Sequence, residues 1–270
     1  MLIKSELNDK DFKKISDFVY KKVGLNIKDN KKYLVESRLS SLIGSFFNSF
    51  TELVEHIYKF PEDSITQDII NRLTTNFTYF FREPIHFKFL KWYLQNKGKR
   101  EKEIRIWSAA CSSGEEPYTI AITSHEAMNI YNYDFKILAT DISTKVLVRA
   151  YSGLYEGEKI RKYVPPNLIA KYFDYNINND MYLVKKSVKD LIAFRKFNLK
   201  SNPYPFKRQF DIVFLRNVMI YFANPEKELL LNNMYNHIKE GGYLIIGLGE
   251  SLIGVKHPFK LTKYSIYQKV

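Results

Sequence analysis

The sequence predicts an α/β protein: a doubly wound, mostly parallel sheet with a small antiparallel β insertion, preceded by a small all-α domain. Three observations lead there. Before residue 75 the apolar residues recur at helical spacing only. After residue 100, short runs rich in β-branched and aromatic residues alternate with segments of helical period. Between 173 and 200 that rhythm breaks into short pieces in which apolar and polar side chains alternate.

Phe12, Ile15, Val19 and Val23 mark a first helix, with Gly24 as its stop. Val35, Leu39 and Leu42 continue the pattern in a second; a third covers 51–59, ending before Pro61, and a fourth 62–74. "EIRIWSA" (103–109) is the first strand and 115–130 the helix after it. "DFKILATDIS" (134–143) is the second strand, followed by a helix over 144–151 with Gly153 past its end. "QFDIVFLRN" (209–217) is a later strand, followed by a helix over 225–239 stopped by Gly241 and Gly242, and "YLIIGLGES" (243–251) is another strand. "KLTKYSIYQKV" supplies an antiparallel edge strand. The Asn-rich turn at 176–179 centres the antiparallel insertion. The expected domains are 1–80, helical, and 81–270, α/β, with the inserted subdomain at 173–197.

The chain has 270 residues, 45% of them hydrophobic, enough for a full core. No apolar run approaches the ~20 residues of a membrane span, and "MLIKSELNDKDFKK" has no apolar signal region. Cys111 is the only cysteine, which excludes an internal disulfide and a cysteine metal cluster and fits a cytosolic enzyme. His56, His86, His125, His237 and His257 show no ligand spacing, so no metal is expected. Net charge is +13, which calls for an acidic partner or a lysine-rich solvated surface. Residues 10–38 carry nine Lys/Arg against four Asp/Glu. Lys28, Lys31, Lys32 and Arg38 share an arc of the second helix with Val35, Leu39 and Leu42, so a partner-binding face and lysines flanking a core stripe both stay open.

The chemistry concentrates in "IRIWSAACSSGEEPYTIAI" (104–122), a strand, a turn of small residues and a helix. This is where α/β proteins hold nucleotides. The loop has one glycine, Gly114, where a dinucleotide fingerprint needs three, and Glu115 and Glu116 would repel a phosphate. An adenosine-bearing ligand with positive charge and no phosphate suits the loop, and S-adenosylmethionine is such a ligand. The plainer role for the two acids is electrostatic support of a helix N-terminus. Asp141 ends the second strand about 25 residues after the loop, where nucleotide folds set an acid against ribose hydroxyls. It competes with Ser143 for the cap of the next helix.

"LTTNFTYFFRE", "RIWSAACSSGEEPYTIAI", "ATDIS", "RNVMIYF" and "GGYLIIGLGES" resemble, in order and spacing over about residues 9–269, the motif series of the chemotaxis receptor methyltransferases, the CheR family. The resemblance implies a helical domain on a Rossmann-like methyltransferase domain with an inserted β-subdomain. It also implies methyl transfer from S-adenosylmethionine to glutamates on the cytoplasmic helices of chemoreceptors, leaving S-adenosylhomocysteine. Carried over by motif, Asn76, Thr78 and Arg82 approach the cofactor and the reacting centre. Glu116 faces the methionine end, Asp141 the ribose, and Asn198 with Leu199 the adenine. Arg216 and Asn217 line the cofactor, and Tyr221 lies near the methyl group. Arg82 and Tyr221 are the expected catalytic pair. Arg82 would orient the acceptor carboxylate without pairing tightly, since tight pairing stabilises the ground state. A cytoplasmic monomer is expected, one that binds no nucleic acid and does not insert into membranes.

Two other readings compete. A nucleic-acid methyltransferase would suit the charge and the aromatic "FTYFF", and "NPYP" (202–205) resembles the Asn-Pro-Pro-Tyr motif of such enzymes. That motif closes a strand, however, whereas "NPYP" precedes one and reads as a loop. A non-catalytic receptor-binding module would not need Arg82, Asp141 and Tyr221. One departure from the family is visible. Some members grip a C-terminal receptor peptide with a glycine-containing loop of the β-subdomain, and the corresponding turn, "YNINNDMY", has no glycine. Independence of such a tether is expected.

Overall fold

The computed structural model of the chain describes residues 6–74 and 77–270. These form two compact units, one gathering the residues before 75 with Tyr221–Glu226, the other holding 77–220 and Lys227–Val270.

The first unit is helical. In α1 (Asp9–Val23) the Asn8 side chain accepts the Asp11 amide at 2.9 Å, with Asp9 and Asp11 in the first turn and Lys21 and Lys22 in the last, as the helix dipole favours. Phe12, Ile15, Phe18, Val19 and Val23 are its buried face. Gly24 follows in left-handed conformation (φ +79°), and a Cβ there would sit 2.6 Å from the Phe222 ring, so the position excludes larger residues twice over. The second helix, α2 (Lys32–Leu39), tightens into a 3₁₀ turn over Ser40–Leu42 that keeps Leu42 buried. Ser49 caps α3 (Phe50–Lys59) and Asp63 caps α4 (Ser64–Leu73). Their apolar faces, Leu53, Val54 and Ile57 in one and Ile69, Ile70 and Leu73 in the other, are buried.

The second unit opens with α5 (Pro84–Asn96), β1 (Glu103–Ser108), α6 (Glu115–Ala127), β2 (Asp134–Asp141) and α7 (Thr144–Ser152). Then come β3 (Leu154–Glu156), α8 (Gly157–Tyr163), α9 (Pro166–Tyr172), β4 (Phe173–Asn176), β5 (Met181–Val184), α10 (Lys186–Lys189) and β6 (Ile192–Lys196). The chain closes with β7 (Phe210–Leu215), α11 (Asn224–His237), β8 (Ile238–Ile246), β9 (Lys260–Lys263) and β10 (Ile266–Gln268). The main sheet runs β6-β2-β1-β7-β8-β10-β9, parallel through β8, with β10 and β9 antiparallel at one edge. All six residues of β7 are buried, as expected for a central parallel strand covered on both faces. This is the expected fold class: an all-α domain, then a doubly wound, mostly parallel sheet with a small antiparallel sheet.

Three local expectations shift. Gly241 and Gly242 do not stop a helix; α11 ends at His237, β8 starts at Ile238, and the glycines lie inside the strand. The β7–β8 register jumps from Phe210↔Ile238 to Ile212↔Tyr243, and this bulge needs the positive φ of Gly241 (+73°). A Cβ on Gly242 would come within 2.9 Å of the Asp211 carbonyl oxygen. Consequently "GLGES" is a loop beyond the strand. Second, the C-terminal segment is a hairpin of two strands rather than one. Third, the small sheet, β3-β5-β4, draws its extra strand from Leu154–Glu156, while Ile192–Lys196 joins the main sheet beside β2. Apolar–polar alternation is equally compatible with either sheet, so the 173–197 bounds do not coincide with the small sheet. Among the described residues, no helix is long and apolar enough to cross a membrane.

Candidate active site

The carboxyl ends of β1, β2 and β7 converge, and the loop after β1 is tied down from three sides. The Ala109 amide donates to the Phe214 carbonyl at 2.8 Å and the Cys111 amide to the Thr140 carbonyl at 2.8 Å. The Tyr155 hydroxyl, from the small sheet, donates to the Ser113 carbonyl at 2.6 Å. Gly114 turns the chain into α6 with φ +98°. A Cβ there would lie 2.8 Å from Tyr155 Oη and 2.9 Å from Ala150 Cβ. Gly114→Ala should therefore destabilise by about 2–4 kcal/mol, combining backbone strain with overpacking; a urea midpoint unchanged from wild type would contradict this.

Asp141 anchors the same loop. Its Oδ2 accepts the Ser112 amide at 2.8 Å and its Oδ1 the Ser143 amide at 2.9 Å. Ser143, not Asp141, caps α7. Burial pushes the Asp141 carboxyl above the ordinary range, against the pull of these amides. The Ile142 amide pulls the same way, and of the about four lone-pair sites of a carboxylate this leaves room for a hydroxyl donor. The Phe197 amide donates to the Asp141 carbonyl at 3.0 Å, which brings the Asn198–Leu199 turn beside it. Asn198 accepts the Lys200 amide at 3.0 Å, and Leu199 is buried.

A second hub lies at Arg216, which is buried at the end of β7. Its Nη1 donates to Glu116 Oε2 at 2.8 Å, and its Nη2 to Glu83 Oε2 at 3.0 Å and to the Arg82 carbonyl. The guanidinium also lies 5.4 Å from the Phe87 ring centroid. Ser108 donates to the other Glu116 oxygen at 2.6 Å. Burial raises the Glu116 carboxyl above its ordinary value despite Arg216 and Ser108. At Glu83 burial pushes the same way, but Arg216, the Leu248 amide and Asn217 outweigh it, and that carboxyl lies below the ordinary range. Burial, and next Arg216, hold His86 neutral, with a pKa of about 4. One cation thus faces two carboxylates, which leaves the hub net negative. Arg216 Nε is a buried donor with no acceptor among the described residues. A buried acid beside an unanswered donor is the complement of an amino-acid end carrying both charges, and the acid at the end of β2 complements a ribose. The residues fit S-adenosylmethionine.

Asn217 follows in left-handed conformation (φ +58°); its amide donates to Glu250 Oε2 at 2.8 Å and its side chain to Glu83 Oε1 at 3.4 Å. Glu250, in the loop after β8, also accepts the Gly247 and Ile220 amides. Glu83 and Glu250 thus hold the far side of the site, and sequence reasoning did not single them out. Both stand within quoted motifs, "FFRE" and "GLGES", and that adjacency was the available signal. Arg82 is half-buried, and its Nη1 donates to the Phe77 carbonyl at 2.9 Å. Thr78 is half-buried as well. Tyr221 belongs to the helical unit, where its carbonyl accepts the Asn26 amide at 2.9 Å. Asn76 lies outside the described residues. Cys111 is buried, and burial, reinforced by Asp141, pushes its thiol well above the usual value, so it is no nucleophile.

The sheet order, the loop after β1 and the acid at the end of β2 fit a methyltransferase that uses S-adenosylmethionine. Residues 76–268 match the family described as CheR methyltransferase, SAM binding domain, and residues 10–74 match CheR methyltransferase, all-alpha domain. The chain belongs to the CheR methyltransferase family. It is 40% identical to the chemotaxis protein methyltransferase of Borreliella burgdorferi over 256 residues, 92% of this chain and 90% of that one. Identity to chemotaxis protein methyltransferase Cher2 of Pseudomonas putida is 35%, covering 96% of this chain and 97% of the relative. Identity to the Escherichia coli chemotaxis protein methyltransferase is 33%, covering 97% and 91%.

Proposed function

We propose that this chain methylates glutamate side chains on the cytoplasmic helices of membrane chemoreceptors, forming the methyl esters of sensory adaptation. The observation that carries the reading is the charge layout at the strand ends. Glu116 and Asp141 are buried and hydrogen-bonded where a cationic nucleoside ligand would need them. Arg82 adjoins that hub through its carbonyl, which Arg216 holds, and among the described residues no carboxylate lies within ion-pair distance of its guanidinium. Arg82 is thus available to an acidic acceptor.

The bound cofactor supplies an electrophilic methyl carbon on a sulfonium. The acceptor carboxylate is ionised at neutral pH, so the protein needs no strong base. Its task is alignment: a carboxylate oxygen attacks in line with the breaking carbon–sulfur bond, and anion and cation are both neutralised. In this reading Glu116 holds the amino-acid end and Asp141 the ribose. Asn198 and Leu199 border the adenine, while Asn76, Thr78, Arg216 and Asn217 line the remainder. Arg82 orients the acceptor, and Tyr221 contacts the methyl region. The helical domain (1–80) and the methyl-transfer domain (81–270) would work together as a cytoplasmic monomer that binds no nucleic acid.

Tether independence belongs to the same reading. The β4–β5 turn places Asp180, not glycine, at φ +49°, and Arg161 clamps its carboxylate with two bonds of 2.7 Å. The test is radiolabelled methyl transfer to a receptor cytoplasmic fragment, with and without its C-terminal residues. We expect label released as methanol by mild base, at the same rate from both fragments. Base-stable label, or label entering nucleic acid instead, would sink the ester reading. A rate that collapses on removing the C-terminal residues would sink tether independence.

A further inference from the structure

Resting on that reading, we infer that Phe77 and Tyr79 are positioning residues for Arg82, an aromatic cradle that holds its guanidinium by ring faces in place of a carboxylate. The guanidinium carbon lies 6.0 Å from the Phe77 ring centroid and 5.8 Å from that of Tyr79. These separations fall at the range over which a ring quadrupole attracts a cation. The two rings contact each other at 5.8 Å, and Tyr79 stacks on Tyr163 at 4.5 Å with 28° between the planes. Tyr163 ties the cradle to α8, with Lys162 5.2 Å over its ring. The Phe77 carbonyl takes one guanidinium donor.

The neighbouring acid does not compete. Glu83 follows Arg82 in the chain, yet its carboxylate is committed to Arg216, Asn217 and the Leu248 amide. Arg82 is therefore fixed in direction without being neutralised. An ion pair would fix it equally well but would have to be broken for each acceptor. Contacts to the rings use none of the five N–H donors and the Phe77 carbonyl uses one, so donors remain for an acceptor carboxylate.

The test compares Phe77→Leu/Tyr79→Leu with the conservative pair Phe77→Tyr/Tyr79→Phe in the full chain. The leucine pair should raise KM for the receptor fragment about tenfold while kcat and the affinity for S-adenosylhomocysteine stay within about twofold; the aromatic pair should restore wild-type KM. Arginine-selective NMR gives a second readout that needs no acceptor: the ring-current shift of the Arg82 side-chain signals should vanish in the leucine pair and persist in the aromatic pair. An unchanged KM, an Arg82 signal indifferent to the rings, or equal loss of kcat and cofactor affinity would overturn the cradle. If the wild type fails to methylate the fragment, the acceptor reading falls, and the NMR comparison still decides the cradle.

Discussion

Replacing Arg216 by methionine should remove about 3–5 kcal/mol of stability, the cost of leaving buried carboxylates without their cation. The Arg216 side chain is 2% exposed and those of Glu116 and Glu83 11% and 15%, so water cannot substitute for it. The deficit should also depend on pH, and its sign follows from Glu116. Burial already raises that carboxyl, and losing Arg216 raises it further. A carboxyl raised in the folded state contributes stability below its unfolded value, near pH 4.3, and loses it as pH rises through the folded value. The deficit should therefore be largest at pH 7.5 and shrink at pH 5.5. Glu83 acts in the same direction: lowered in the wild type, it contributes stability above its unfolded value, and losing that contribution with Arg216 adds to the deficit at neutral pH. Urea unfolding of wild type, Arg216→Met and Arg216→Met/Glu116→Gln at both pH values checks the account. Adding Glu116→Gln to Arg216→Met should recover part of the loss at pH 7.5, because the amide carries no charge to bury. A deficit below about 1 kcal/mol, equal at both pH values, would place the triad among weak surface pairs instead.

The second large effect is on cofactor affinity. Asp141→Ala should weaken S-adenosylhomocysteine binding by at least about tenfold, since a hydrogen bond to a carboxylate contributes roughly 1.5–3 kcal/mol. Asp141 also anchors the Ser112 and Ser143 amides, so loss of affinity alone does not separate ribose contact from loop anchoring. A cycle with a deoxyribose analogue of the product does separate them. Calorimetry should show a penalty of about tenfold for the missing hydroxyl in the wild type and none in Asp141→Ala. Equal penalties in both proteins would leave Asp141 as a loop anchor only.

Legibility in the sequence followed the range of the interactions. Helix α1 was readable because its cap, charge bias and apolar period all lie within one short segment and agree with one another. The strand β7 was readable as an uninterrupted apolar run. Gly241 and Gly242 were misleading because a helix stop and a strand bulge both need glycine, and only the register against β7 distinguishes them. Glu83 and Glu250 are not legible in the sequence for a related reason. Each is an ordinary glutamate in sequence, and its importance comes from a partner distant in the chain, Arg216 for one and the Asn217 amide for the other.

By itself, then, the sequence determined the helical domain, the α/β order, the small-residue loop with its two acids, and the acid ending the second strand. Each of these is written in local period, spacing or residue type. The tertiary structure alone decided which sheet Ile192–Lys196 joins and that Ser143 caps α7 while Asp141 anchors the loop. It alone decided that Arg216 is shared by Glu116 and Glu83 while Arg82 rests on aromatic rings. These are choices among chemically equivalent partners, and proximity in the folded chain, not residue type, makes them.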